Sequence, residues 1–194
     1  LVRISRGLYQ HADTNVDVHF IVDVSRSMTA EGKWSCAAML AASLAHLAMR
    51  QRDSIGLTLF ADSVIEHLRP RSTPDHHMEL LHALARKRPN PPAESARALH
   101  EVAELARRRG LKVLISDLYY PEEELSRAIG HFRHDEHEVI LFHVLTLLES
   151  EMPVSGPIRF RDLETGEEIV TRAEAIRDEF VSAVNAWQSE IRTL

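Results

Sequence analysis

A single cysteine, Cys36, stands in a chain of 194 residues. It excludes an internal disulfide and fits a reducing compartment, with the cytoplasm as the default. Long hydrophobic runs are missing too. The longest, Val139–Leu148, is interrupted by a histidine and is too short to cross a bilayer, so no membrane insertion is expected of this segment. No basic, apolar, small-residue leader precedes the first elements, although the chain opens mid-pattern, as a fragment of a longer protein would. Positive charge is outnumbered, with 23 Lys and Arg against 29 Asp and Glu. The formal net charge of −6 argues against a general nucleic-acid binder. Of the two basic clusters, Arg86-Lys87-Arg88 and Arg107-Arg108-Arg109, the second ends a helical pattern just before Gly110, where cations favour the negative end of a helix. Low-complexity bias is absent: 44% hydrophobic and 27% charged residues describe an ordinary globular chain. The length suits one α/β domain.

What is present alternates. Arg3–Tyr9 reads as a short edge strand. Val16–Val24 reads as a central strand, nearly continuous in apolar residues, as a parallel strand buried on both faces should be. Lys33–Gln51 is an alanine- and leucine-rich helix whose small side chains allow close approach to a sheet. Ser54–Phe60 is the next strand, with Val64–Leu68 as a hairpin arm. Thr73, Pro74 and Asp75 mark a helix start by cap, first position and first-turn acid. After the Pro-rich stretch Arg88–Pro92, a helix runs from about Glu94 to Arg109. "LKVLISDLYY" is a strand ending on Asp117, and Pro121 with three glutamates opens another helix. Glu138–Leu145 is an apolar strand. A β-hairpin excursion at 157–171 turns around Thr165-Gly166. Thr171 and Glu174 suggest a capping box for a last helix.

Strands alternating with helices predict a three-layer, Rossmann-like α/β sandwich with a mostly parallel sheet. Ligands of such sheets bind at the carboxyl ends of the strands. Asp23 and Asp117 both close predicted strands, so they should share one edge. Asp23 is followed by Ser25 and Ser27 at alternate positions, in "HFIVDVSRSM". Mg²⁺ takes oxygen ligands in near-octahedral geometry and keeps several waters. Two neutral hydroxyls beside one carboxylate would leave such an ion with residual charge and an open position. An acidic side chain of a partner could fill it.

Asp23-x-Ser25-x-Ser27 resembles the D-x-S-x-S signature of the von Willebrand factor A domain, with its metal-ion-dependent adhesion site (MIDAS). The resemblance extends through "AAMLAASLAHLAMRQRDSIGLTLF", "HLRPRS", "ALHEVAELARRRGLKVLISDL", "HEVILFHVL" and "IRFRDLETGEEI" to the bacterial branch known as domain of unknown function 58. It implies a single von Willebrand factor A-like domain over 1–194, part of a longer chain. It also implies a protein-interaction module, without enzymatic activity, that partners a MoxR-type AAA+ ATPase in protein assembly or maturation. By that resemblance Asp23, Ser25, Ser27 and Asp117 hold Mg²⁺, or Mn²⁺ or Ca²⁺. The family's threonine ligand falls on Ala93, which cannot coordinate, and Glu94 or Ser95 are the substitutes within reach. A metal-free scaffold with a degenerate site is the alternative, and a metal-dependent phosphohydrolase a distant one.

Other candidates are weaker. His131, His134 and His137, with Asp135 and Glu136, span a helix end and a turn and read as a solvated loop rather than a zinc site. His76 and His77, in the first turn of a helix, are expected to be exposed. His46 and His100 read as satisfied or half-exposed. Cys36 reads as a small packed residue. Tyr119 and Tyr120 follow Asp117 at the binding edge and are candidate partner-binding residues. The sequence lacks the G-x-S-x-G elbow of serine hydrolases, a glycine-rich turn after the first strand, and an aspartate two positions after Asp23.

Overall fold

The apolar run ahead of Asp23 forms the middle of the molecule. A computed structural model describes residues 15–89, 97–106, 109–134, 137–161 and 166–193. The Arg3–Tyr9 strand, the Pro-rich stretch from residue 90 on, Ala93, Glu94, Ser95, Asp135, Glu136 and Thr165 lie outside those residues. In chain order the elements are β1 (Asp17–Asp23), α1 (Lys33–Arg50), β2 (Ser54–Phe60), β3 (Val64–Arg71), α2 (Pro74–Arg86) and α3 (Arg97–Leu105). Then come β4 (Leu111–Ser116), α4 (Glu122–His134), β5 (Glu138–His143), α5 (Leu147–Glu151), β6 (Pro157–Arg161), β7 (Glu168–Arg172) and α6 (Ala173–Ile191). A 3-10 segment, Arg26–Gly32, joins β1 to α1.

The main sheet has five strands in the order β3-β2-β1-β4-β5. β1 runs parallel to β2 and β4, and β4 parallel to β5, while β3 is the antiparallel hairpin arm. This is the α/β architecture expected of the von Willebrand factor A-like resemblance. β6 and β7 pair as a separate antiparallel sheet.

Strand alternation sends successive β1 side chains to opposite layers. Val18, Phe20 and Val22 pack with Leu57, Leu59, Val113 and Ile115 toward α1 and α2. Ile21, with Phe60 and Leu114, packs toward Leu99 and Val102 of α3, Ile129 and Phe132 of α4, and Ile191 of α6. Each fully buried side chain of this size contributes about 1.5–3 kcal/mol. The buried face of α1 is an alanine stripe, Ala37, Ala41, Ala45 and Ala48. Gly110 is fixed by close approach: a Cβ there would fall 2.1 Å from the Asp17 carbonyl oxygen.

Several local expectations fail for identifiable reasons. His76 and His77 are buried, not exposed. The His76 ring Nε2 lies 3.0 Å from the Ile55 carbonyl oxygen, so the first turn of α2 is anchored on the sheet. Cys36 is exposed, because the alanine stripe and not the cysteine faces the core. β5 stops at His143, short of Leu145. No Thr171–Glu174 capping box forms, since Thr171 is paired with Ile158 in the hairpin ladder and α6 starts only after Arg172. Glu174 instead accepts from the Gly156 N–H at 2.7 Å.

Candidate functional site

The carboxyl ends of β1, β4 and β5 meet α1, α5 and α6 along one rim, where the candidate residues gather. Asp23 ends β1 with no solvent exposure. Its Oδ1 accepts the Ser25 N–H at 2.8 Å. Its Oδ2 accepts the Ser116 hydroxyl at 2.6 Å and the Tyr120 hydroxyl at 2.9 Å. Ser116 is held in turn by the Leu118 N–H at 2.9 Å. Leu118 has φ +58°, a left-handed conformation that costs an ordinary residue about 1–2 kcal/mol. That turn aims Tyr120 inward at Asp23 and leaves Tyr119 on the outside. Burial, and secondarily the neighbouring Asp117 charge, push the Asp23 carboxyl up to about 6, against the hydrogen bonds from Ser116 and Ser25. Burial and the Asp23 charge hold the Tyr120 phenol well above its usual range. The Ser25 and Ser27 hydroxyls lie 3.0 Å apart.

Asp117 follows β4, and its Oδ2 accepts from the Lys33 ammonium at 2.7 Å. The same ammonium donates to Glu149 Oε1, also at 2.7 Å. The Lys33 side chain is 1% exposed. Glu149 is well fixed: its Oε2 accepts the Thr146 N–H at 2.7 Å while the Thr146 hydroxyl accepts the Glu149 N–H at 3.1 Å, a complete capping box. Lys33 Nζ also lies 5.2 Å from the centre of the Tyr119 ring. Tyr119 stacks flat on Trp187 of α6, with centroids 5.1 Å apart and planes at 7°. Trp187 meets His143 edge-on at 4.7 Å, and the His143 Nε2–H donates to the Asp117 carbonyl at 3.0 Å. Burial lowers the His143 imidazole from its ordinary value, in keeping with a neutral ring that donates at Nε2.

The predicted residues Asp23, Ser25, Ser27 and Asp117 thus share one rim, as their strand-end positions required. Lys33, Ser116, Glu149 and Trp187 join them unannounced. Lysine at the first position of α1 was the available signal. A cation at the positive end of a helix is unfavourable unless acids beyond the helix hold it. The two tyrosines separate: Tyr119 is 46% exposed, and Tyr120 is committed to Asp23. Away from the rim, His131 meets His100 edge-on at 4.9 Å. Among the described residues no cluster of His, Cys, Asp and Glu is arranged to hold a metal.

The family model described as "Protein of unknown function DUF58" matches residues 9–190. The chain belongs to this family. Uncharacterized protein Rv1480 from Mycobacterium tuberculosis is 27% identical over 93% of this chain. The chain spans 59% of the length of that relative. An aerotolerance-related membrane protein from Bacteroides fragilis, solved with multiple mutations to serine, has a TM-score of 0.61 at 22% identity, covering 88% of this chain and 89% of that one. The conserved hypothetical protein BatB from Bacteroides thetaiotaomicron has a TM-score of 0.60 at 22% identity, covering 92% of this chain and 98% of that one. At such identities the likeness is one of fold. No described helix of the DUF58 chain is long and apolar enough to cross a membrane.

The adhesion-type donor set can now be tested against the geometry. Both Asp23 oxygens are engaged by protein donors, and the Asp117 oxygen Oδ2 is engaged by an ammonium. A divalent ion at this point would have to displace hydroxyl donors and sit close to the buried Lys33 charge. As arranged, the described residues of the rim do not fit a resident divalent cation.

Proposed function

We propose that this DUF58 domain is a protein-interaction module whose partner docks on the rim at the carboxyl ends of β1 and β4. The observation that carries the reading is the exposed Tyr119 ring, held flat against Trp187 beside polar groups that are already paired with one another. Aromatic side chains fixed before binding lose little entropy on docking and are enriched at interface centres. Leu147, 57% exposed in the first turn of the helix that carries Glu149, extends the same surface. Internally consumed polar groups suit recognition better than turnover. The partner implied by the family resemblance is a MoxR-type AAA+ ATPase in the cytoplasm, acting in assembly or maturation of other proteins.

The test is calorimetric titration of a purified MoxR-type ATPase from the same source into the wild-type domain and Tyr119→Ala. A loss of about tenfold or more in affinity is expected for Tyr119→Ala. Wild-type binding that Tyr119→Ala leaves unchanged would place the interface elsewhere. Repeating the titration in EDTA separates an ion-held rim, with Mg²⁺ among Asp23, Ser25, Ser27 and Asp117, from an ion-free one. The Lys33 pairing supports the ion-free version, so EDTA is expected to leave affinity unchanged.

A further inference from the structure

The position of Lys33 reaches beyond partner binding. We propose that its ammonium is a built-in substitute for the divalent cation of the adhesion site, and that this side chain is what closes the rim to metal. The ammonium contacts Asp117, the second-strand acid that the adhesion arrangement would turn toward an ion, at 2.7 Å. Glu149 completes a two-carboxylate cradle at 2.7 Å, and Tyr119 lies alongside. Two acids from separate segments, the end of β4 and α5, therefore converge on one positive charge at the head of α1.

The charge is held there against local preference. Lys33 opens α1, where the helix's own field is positive, and Gly32 ahead of it makes no side-chain cap. An exposed lysine would swing into water, yet this one is 1% exposed. Burying an ammonium is costly unless it is paired and hydrogen-bonded, and Asp117 and Glu149 supply both. With the cation supplied by the chain, the Ser25 and Ser27 hydroxyls bond to each other at 3.0 Å, and Asp23 draws on Ser116 and Tyr120. A second, doubly charged ion brought within a few ångströms of the ammonium would be repelled strongly in so dry a place.

The inference shares its rim with the partner reading, but its test needs no partner, so the two fail separately. The probe is Mn²⁺, followed by loss of the free-ion paramagnetic resonance signal and by thermal unfolding. For the wild type, millimolar Mn²⁺ is expected to bind without saturation and to leave Tm unmoved. Lys33→Met keeps the length of the stem and removes the charge, freeing Asp117 and Glu149. It is expected to bind Mn²⁺ about a hundredfold tighter than wild type and to gain Tm with the ion. Lys33→Met/Asp117→Asn should lose that gain. Lys33→Gln, whose amide still donates to Asp117, takes the same role if Lys33→Met folds poorly. Saturable Mn²⁺ binding by the wild type that Asp23→Asn abolishes would overturn the inference. So would a folded Lys33→Met or Lys33→Gln that binds Mn²⁺ no better than wild type.

Discussion

Two polar clusters interrupt the same buried face of β1, and they are kept in the core by opposite means. At the rim, Asp23 and Asp117 stay in place through partners: hydroxyls and an N–H for the first, an ammonium for the second. Deeper along the strand, His19 lies 2.7 Å through Nε2 from the Thr58 hydroxyl, which in turn lies 2.9 Å from His67 Nδ1. One hydroxyl can donate to one imidazole while accepting from the other, so these three side chains bond to one another without charge. Burial first, then the charges of Lys112 and His67, lower His19 to about 3. Its Nδ1 has no hydrogen-bond partner and sits 2.5 Å from where a Gly56 Cβ would be, so a proton added there finds no acceptor. The contrast teaches that a polar group survives in this sheet either by pairing its charge or by giving it up. The paired cluster lies at the edge where the parallel strands end, and the neutral one lies deeper, amid packed side chains.

The strongest way to break the contrast is to remove the positive charge from the rim. Lys33→Met leaves Asp117 buried beside Glu149 with no cation, and should cost about 3–5 kcal/mol in urea unfolding. Adding Asp117→Asn should recover part of that loss, and strictly additive costs for the pair would show that the two residues do not act as a unit. The neutral cluster should answer to acid instead. The unfolded His19 takes a proton near the ordinary histidine value of 6.5, whereas the folded one resists until about 3. Below the unfolded value, the unfolded state therefore binds more protons, so stability falls as pH drops through this window and is fully regained above it. The slope from His19 approaches about 1.4 kcal/mol per pH unit, and His19→Gln should flatten that part of the stability–pH curve. An unchanged acid limb would assign it to other groups. Tyr120→Phe deletes one of the donors on Asp23 and should cost about 1–2 kcal/mol. Tyr119→Ala should have the smallest effect on stability, about 1 kcal/mol or less from the lost ring stack, while carrying the loss of partner affinity. A Tyr119→Ala variant less stable than Tyr120→Phe would reverse the inside and outside roles assigned to the two tyrosines.

The parallel sheet and its rim were legible because the apolar runs of β1 and β4 each end on a carboxylate, and strand ends of one direction must lie together. What could not be read was set by contacts distant in sequence. Lys33 reads as the solvated start of a helix until Asp117 and Glu149 arrive from 84 and 116 residues away. Tyr120 turns inward only because Leu118 adopts its left-handed backbone. At the head of a helix the T-x-x-E pattern has two opposite outcomes. At Thr146–Glu149 the backbone is free after β5, and the box closes. At Thr171–Glu174 the threonine is already claimed by the hairpin, and Glu174 turns to Gly156 instead. The same local code is honoured only where no neighbouring strand competes for the residue. Burial of His76 and His77 likewise depends on how α2 is seated on the sheet, which periodicity alone does not fix.

The alanine stripe of α1 acquires a meaning beyond packing once the ammonium at the head of that helix is considered. Ala37 lies one turn after Lys33, and methyl-sized side chains set the standoff between helix and sheet. A bulkier residue there would lift the head of the helix and slide the nitrogen off its acids, so the girth of four small residues calibrates the electrostatics at the far end.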